Sequence, residues 1–317
     1  MSYRTVIKVL AFCTIAAGAA WAAALAPQNA RSAPAGLLSV VAGDVTIVRA
    51  GEATPHPAHI ADLLSVGDRI LTGRQSEATF LYCPESRSAK MLPESEVQFG
   101  ASGLQIRKGK LGEEHKFPSC NLPRITLAGA SQLQSGSLRL RGSDLILLSP
   151  SRTNIATLQP HFRWDPVDSA TVYDLKLMDR EERILWKQSG SATEAQYSPD
   201  APALAWDQKY LWRVTARNGE DELTEVGTYF QVLPKEQVDR VRSSEENLRH
   251  MMEANPADNS PLFLLAFLYD ENGMLDEAAR SYGELARRIG SQEWVQARLT
   301  ELMNKLGWQK LESAPPR

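Results

Sequence analysis

Metal ligands, catalytic signatures and blocks of like charge are what this sequence has least of. Its five histidines include one close pair, His56 and His59, set beside Pro55 and Pro57 in what reads as a surface loop, and nothing beside it completes a metal set. There is no G-x-S-x-G elbow, no H-E-x-x-H pair, no P-loop and no G-x-G-x-x-G opening a helix, which removes the common local signatures of hydrolases, zinc peptidases and nucleotide-dependent enzymes. Glu113-Glu114-His115 reads as an exposed bend. Carboxylate pairs such as Asp270-Glu271 fall among solvated helical residues, where no apolar setting raises a pKa. No Lys/Arg block stands out, and 35 basic against 38 acidic residues leave a net charge of −3, so nucleic acid has no electrostatic footprint to bind. No catalytic residue, metal or cofactor is expected.

What the chain has is length and ordinary hydrophobicity. At 317 residues and 43% hydrophobic, it suits two or three globular domains and is neither a disordered chain nor a multi-span membrane protein. Arg4 and Lys8 form a positive n-region, residues 9–26 are apolar, and Ala22-Ala23-Ala24 offers a small-residue cleavage signal. Residues 1–35 are therefore expected to be signal peptide and linker, with export to the periplasm or cell envelope. The alternative is an uncleaved anchor, the one membrane contact the sequence offers, but alanine dominates it and gains little from hydrocarbon. Bulky Phe12 argues against lipidation of Cys13. In an oxidising compartment the two remaining cysteines, Cys83 and Cys120, are expected to form a disulfide. The competing arrangement, a metal site completed by His115, lacks the paired C-x-x-C spacing of zinc sites.

Past residue 35 come short strands. Residues 45–48, 78–82, 97–99 and 104–106 surround the stretch LSVGDRILTG, residues 64–73, where Gly67 and Gly73 mark chain reversals that exploit positive φ. Turn signals about every ten residues describe a compact all-β unit. GDVTIVRAG, then L-x-VGDRILTG, then SEATF resembles the FecR-type periplasmic domain of bacteria, which the resemblance places at residues 36–123.

Residues 124–152 read as connecting strands, assignable to neither neighbour and closed by the breaker Ser149-Pro150. From 153 to 234 the two-residue period persists with more aromatics: Phe162 with Trp164, Tyr173 with Leu175 and Leu177, and Tyr210 with Trp212, Val214 and Ala216. One apolar face per strand implies antiparallel sheets burying one side, hence a sandwich. PHFRWDPVDSATVYDLKL and LAWDQKYLWRVTARN resemble strands of fibronectin type III and related immunoglobulin-like domains. The resemblance implies that Tyr210 is the tyrosine-corner residue, with Trp164 beneath it. Trp206-Asp207 replaces the Pro-Gly usual before that tyrosine. Trp186 and Trp206 fall outside the alternation and are the aromatics expected to be exposed, the one hint of a carbohydrate platform.

After Pro234 the period becomes helical. Val238, Val241, Leu248 and Met251 share a stripe. Ser260 reads as an N-cap followed by Pro261, Gly273 and Gly290 end helices, and Ser291 caps a last one that stops at Gly307. Leu262, Leu265, Ala266, Tyr269, Gly273, Ala278 and Tyr282 match in order the positions of the tetratricopeptide repeat, which residues 235–310 resemble; residues 311–317 are a tail. Leu285 and Gly290 depart from the repeat. Only one and a half to two repeats fit, so the array must lean on the sandwich, on a partner or on its own terminal helix. The resemblance puts Ser260, Phe263, Phe267, Asp270 and Glu271 in a concave groove. Phe263 and Phe267, four residues apart, would stack as an apolar anchor flanked by acid. The opposing reading covers both rings with the helix around 238–252 or the one around Trp294.

The expected fold class is thus multidomain, mainly β with C-terminal α. The leading function is an exported, non-enzymatic binding or adaptor protein with a protein or peptide partner. A FecR-type envelope signalling regulator would need a separate partner, because only Met1 to Lys8 precede the apolar segment. A carbohydrate or peptidoglycan binder, with cell-wall glycan as ligand, is the third class.

Overall fold

The computed structural model describes residues 33–122, 145–290 and 292–308: a mainly β chain followed by four helices. The signal segment, residues 124–144 of the expected connecting strands, the cap at Ser291 and the 311–317 tail lie outside the described residues.

Alternation builds the first β-domain. Leu111–Lys116, Arg87–Met91, Glu77–Tyr82, Gly36–Ala42 and Leu63–Leu64 lie in that order in one antiparallel sheet. His56–Pro57, Val45–Val48, Arg69–Thr72, Glu96–Gly100 and Gly103–Lys108 form the other. Leu38, Ile47, Ile70, Phe80 and Val97 are buried between them, and Phe99 meets Phe80 and Tyr82 edge-on at 5.3 and 5.6 Å. The reversal at Gly67 has φ of 97°, and a Cβ there would stand 2.7 Å from the Cβ of Ala50. Only glycine fits. The adjacent Asp68 is buried, yet its carboxylate accepts the N–H groups of Ala50 and Ser65 at 2.9 and 3.0 Å and pairs with Arg49 at 2.9 Å. Those partners satisfy a charge that burial would otherwise penalise. Gly73 differs from expectation. Its φ is not positive, and crowding is its constraint, with a Cβ 3.2 Å from the Asp44 carbonyl. A disulfide joins Cys83, just past the strand Glu77–Tyr82, to Cys120.

The second β-domain starts earlier than residue 153. Leu147–Ser149, expected among the connecting residues, pairs with His161–Trp164, which pairs with Glu194–Gln196. The facing sheet runs Thr153–Ile155, Asp221–Val232, Lys209–Asn218, Val172–Met178 and Ile184–Gly190; its first pairing is parallel and the rest antiparallel. Phe162, Tyr173, Leu175, Leu177, Trp212, Val214 and Phe230 fill the space between the sheets.

Four helices follow: α1 (Lys235–Ala254), α2 (Ser260–Glu271), α3 (Leu275–Ile289) and α4 (Glu293–Leu306). Ser260 is the first residue of α2 rather than its cap. Asn259 takes the cap position, and Asp258 accepts the Ser260 N–H at 2.8 Å. Nine of the twelve residues of α2 are buried, as expected of a helix apolar on every side. Its cover comes from α1, α3, α4 and the first β-domain, whose Leu37, Ala61, Leu81 and Phe117 join the helical core. The helices also grip the second β-domain. Asn154 N–H donates to the Gly273 carbonyl at 2.9 Å, Leu275 N–H to Thr153 Oγ1 at 2.7 Å, and Trp308 Nε1 to the Leu148 carbonyl at 2.9 Å. Gly273 has φ of 66°, and a Cβ would collide with Asn154 Nδ2 at 2.7 Å. The short array therefore leans on both β-domains and ties them into one unit.

Candidate functional site

The groove expected on α2 is filled by the chain itself. Phe263 is 0% and Phe267 3% exposed. Phe263 stacks on Trp294 with ring centroids 6.0 Å apart, and Phe267 lies 6.5 Å from Tyr282 and 6.4 Å from Trp294. These two phenylalanines are core, because α4 closes over them and hydrocarbon surface gains more there than in water. The flanking acids are engaged as well. Asp270 is held by the Arg298 guanidinium on two sides and accepts from the Tyr282 hydroxyl at 3.4 Å; Glu271 accepts from Asn121 Nδ2 at 2.8 and 2.9 Å. Ser260 Oγ lies 2.6 Å from Ser39 Oγ, inside the contact with the first β-domain.

In the sandwich, Tyr210 is buried and its hydroxyl accepts the Ala205 N–H at 2.7 Å. Its ring stacks on Phe230 at 5.6 Å. Trp164 does not sit beneath it; it packs on Tyr173 and Trp212 at 5.8 and 6.4 Å. Trp212 is fully buried and donates to the Pro150 carbonyl at 2.6 Å. Trp186 and Trp206 form no open platform. Both are partly buried, Trp186 against Phe162 and Tyr197 at 5.9 and 5.2 Å and Trp206 between the sandwich and the helical core. His56 is exposed and sits 2.9 Å from Glu52. Among the described residues no group of three or more His, Cys, Asp or Glu could hold a metal ion.

What the fold leaves open is a cleft of about 390 Å³ between the second β-domain and the helices. Its sandwich wall carries His161 and Arg163, which alternate with buried Phe162 and Trp164 and therefore point outward. Arg242, Glu245 and Arg249, at i, i+3 and i+7, come from one face of α1; Tyr269 and Met274, then Glu277 and Arg280 of α3, complete it. Pro150, Ile155 and Pro160 supply apolar patches. Arg249 is held by Glu245 at 2.8 Å, and Arg242 donates to the Ala156 carbonyl at 2.8 Å. Arg163 and Arg280 have looser surroundings: the charge of Arg163 acts on Asp165, that of Arg280 on Asp276 and Glu277.

Behind the cleft, in the first turn of α3, both oxygens of Asp276 and one oxygen of Glu277 are buried without a hydrogen bond. Burial pushes Asp276 up to about 7, the Glu277 charge adds to it, and Ser149 and Arg280 pull the other way. Burial also raises Glu277, while a backbone hydrogen bond and the Arg280 charge pull the other way. A carboxyl kept near neutrality in this way can donate as well as accept. Sequence reasoning missed this site because its arginines come from a strand and two helices; the outward phase of Arg163 and the i, i+3, i+7 spacing of Arg242, Glu245 and Arg249 were the local signals.

No family model matches the chain, and no curated protein matches it. Among solved structures it is similar to CopC from Methylosinus trichosporium OB3b, at 16% identity and a TM-score of 0.21 over 28% of this chain and 94% of that one. It is also similar to a two-domain fibronectin type III segment of chicken tenascin, at 11% identity and 0.21 over 63% and 95%. A third likeness is to Ruminococcus gnavus β-glucuronidase, at 10% identity and 0.22 over 52% of this chain and 40% of that one.

Proposed function

We propose that the chain is an exported, non-enzymatic binding or adaptor protein of the bacterial envelope. In this reading its first β-domain is FecR-like, its sandwich fibronectin type III-like and its helices tetratricopeptide-like. The observation that carries it is the place of the helices. They spend their groove on tying two β-domains together, and the recess left for a ligand is the cleft they share with the sandwich. Export is supported by the charged and apolar start of the chain and by the Cys83–Cys120 disulfide, which suits an oxidising compartment. The sandwich reading is supported by the Tyr210 hydroxyl on the Ala205 N–H. A glycan platform loses its sequence support, since Trp186 and Trp206 are half-buried.

The test uses the full chain, immobilised, against envelope extract and, in parallel, against purified cell wall. The expected result is one envelope protein that, once purified, rebinds saturably. Retention on cell wall alone would replace the adaptor by the glycan binder. Turnover of an envelope component would overturn the non-enzymatic reading.

A further inference from the structure

We propose that the cleft between the sandwich and the helices binds a small carboxylate-bearing ligand that also carries a hydroxyl or ammonium donor, as in a sugar acid or an acidic peptide end. The inference deepens the binding reading above and rests on it. A recess of about 390 Å³ is of the size that encloses a small ligand rather than a protein side chain. Four guanidiniums line it against two carboxylates. Of these, Glu245 is committed to Arg249 and Arg242 donates to the Ala156 carbonyl, which leaves Arg163 and Arg280 on different elements as the cations open to a ligand. A planar guanidinium matches a carboxylate with two parallel N–H donors, and two of them on separate elements can hold a ligand across the gap.

The second half of the specificity comes from Glu277. It lines the cleft as the carboxylate not committed to Arg249. Its carboxyl lines the cleft on the same helix as Arg280, so a ligand that brings an O–H or N–H donor to it alongside its own carboxylate would meet both demands at once. Pro150 and Ile155 give the ligand's carbon frame an apolar surface to lie on.

Calorimetric titration of the full chain at fixed ionic strength and pH 7 tests this with three probes. Digalacturonate carries carboxylates with hydroxyls, a triglutamate peptide carries them with an ammonium, and tricarballylate carries carboxylates alone. Saturable binding of digalacturonate or triglutamate is expected, and which of the two binds identifies the source. Arg163→Gln, at an exposed strand position that leaves the core untouched, should weaken it about tenfold or more, the loss of one charge-assisted contact; Arg280→Gln should do the same. Tricarballylate should bind more weakly than the probe that does bind, with Glu277→Gln narrowing the gap. No saturable heat from any probe at millimolar concentration, or wild-type affinity in both arginine variants, would overturn the site. Equal binding of all three probes would overturn the role given to Glu277. Partner capture from envelope extract that survives Arg163→Gln, with no probe bound, would sink the cleft assignment while the adaptor reading stood.

Discussion

The indole N–H of Trp294 donates to the carbonyl of Ala61 at 2.7 Å, across 233 residues of sequence. Ala61 is fully buried and has φ of 70°, so its carbonyl is aimed by a conformation that few non-glycine residues adopt. Trp294→Phe keeps the stacking on Phe263 but orphans that carbonyl, and should cost about 1–3 kcal/mol in urea unfolding. A midpoint unchanged within error would show that water replaces the bond.

Phe267→Ala separates the core from the open groove most directly. As a core residue among Tyr282, Trp294 and Phe263, Phe267 should cost about 3–5 kcal/mol on truncation. Near-wild-type stability would restore the groove reading and remove the basis for treating α2 as wholly covered.

Tyr210→Phe removes the acceptor of the Ala205 N–H. A loss of about 1 kcal/mol is expected, the usual net worth of one hydrogen bond. An unchanged thermal midpoint would count against the tyrosine-corner role and so against the fibronectin-like reading.

Asp276 sets a pH dependence. Its folded value is about 7 against an ordinary 3.8, so between those values the folded chain keeps a proton that the unfolded chain has released. Its contribution is fully present below about pH 4 and is lost as the pH rises through 7. The whole span corresponds to about 4 kcal/mol at most, less what the N-terminus of α3 returns to the charged form. Asp276→Asn should therefore be more stable than wild type at pH 8, and the advantage should shrink toward pH 4. Parallel stability curves for the two proteins over that range would contradict the assignment.

Non-reducing peptide mapping of protein taken from the envelope should recover Cys83 joined to Cys120. Replacing both by serine removes a closure spanning 37 residues, worth about 4 kcal/mol in the chain-entropy account, an upper figure. Two freely alkylated thiols in the mapping would refute the bridge.

Local order was legible where one face of an element meets a core. Phe162 and Trp164 alternate because both point inward from one strand, and Gly273, Gly290 and Gly307 each take positive φ, at 66°, 78° and 80°, at or just past a helix end. What depended on distant partners was not legible. Leu147–Ser149 lacks a distinctive period, and its pairing strand at His161–Trp164 lies downstream. The run SPLFLLAFLY shows that α2 is apolar all round, but not that strand Gly36–Ala42 helps to cover it, since that contact spans 221 residues at Ser39 and Ser260. The burial of Asp276 was illegible for the same reason: the sandwich beside it enters through Ser149 and Thr153. Of the cleft arginines only Arg242 and Arg249 share a spacing, on one face of α1, and folding alone brings Arg163 and Arg280 to them.

The helical core that takes in Leu37, Leu81 and Phe117 also imposes a timetable. A ribosome finishes residue 120 on the order of ten seconds before it reaches α2 to α4, and through that interval the first β-domain has no helices to shelter its greasy flank. Its cover arrives last, and its disulfide closes only once the chain reaches an oxidising compartment. Until the helices arrive, the flank of Leu37, Leu81 and Phe117 is the part of the chain most exposed to aggregation.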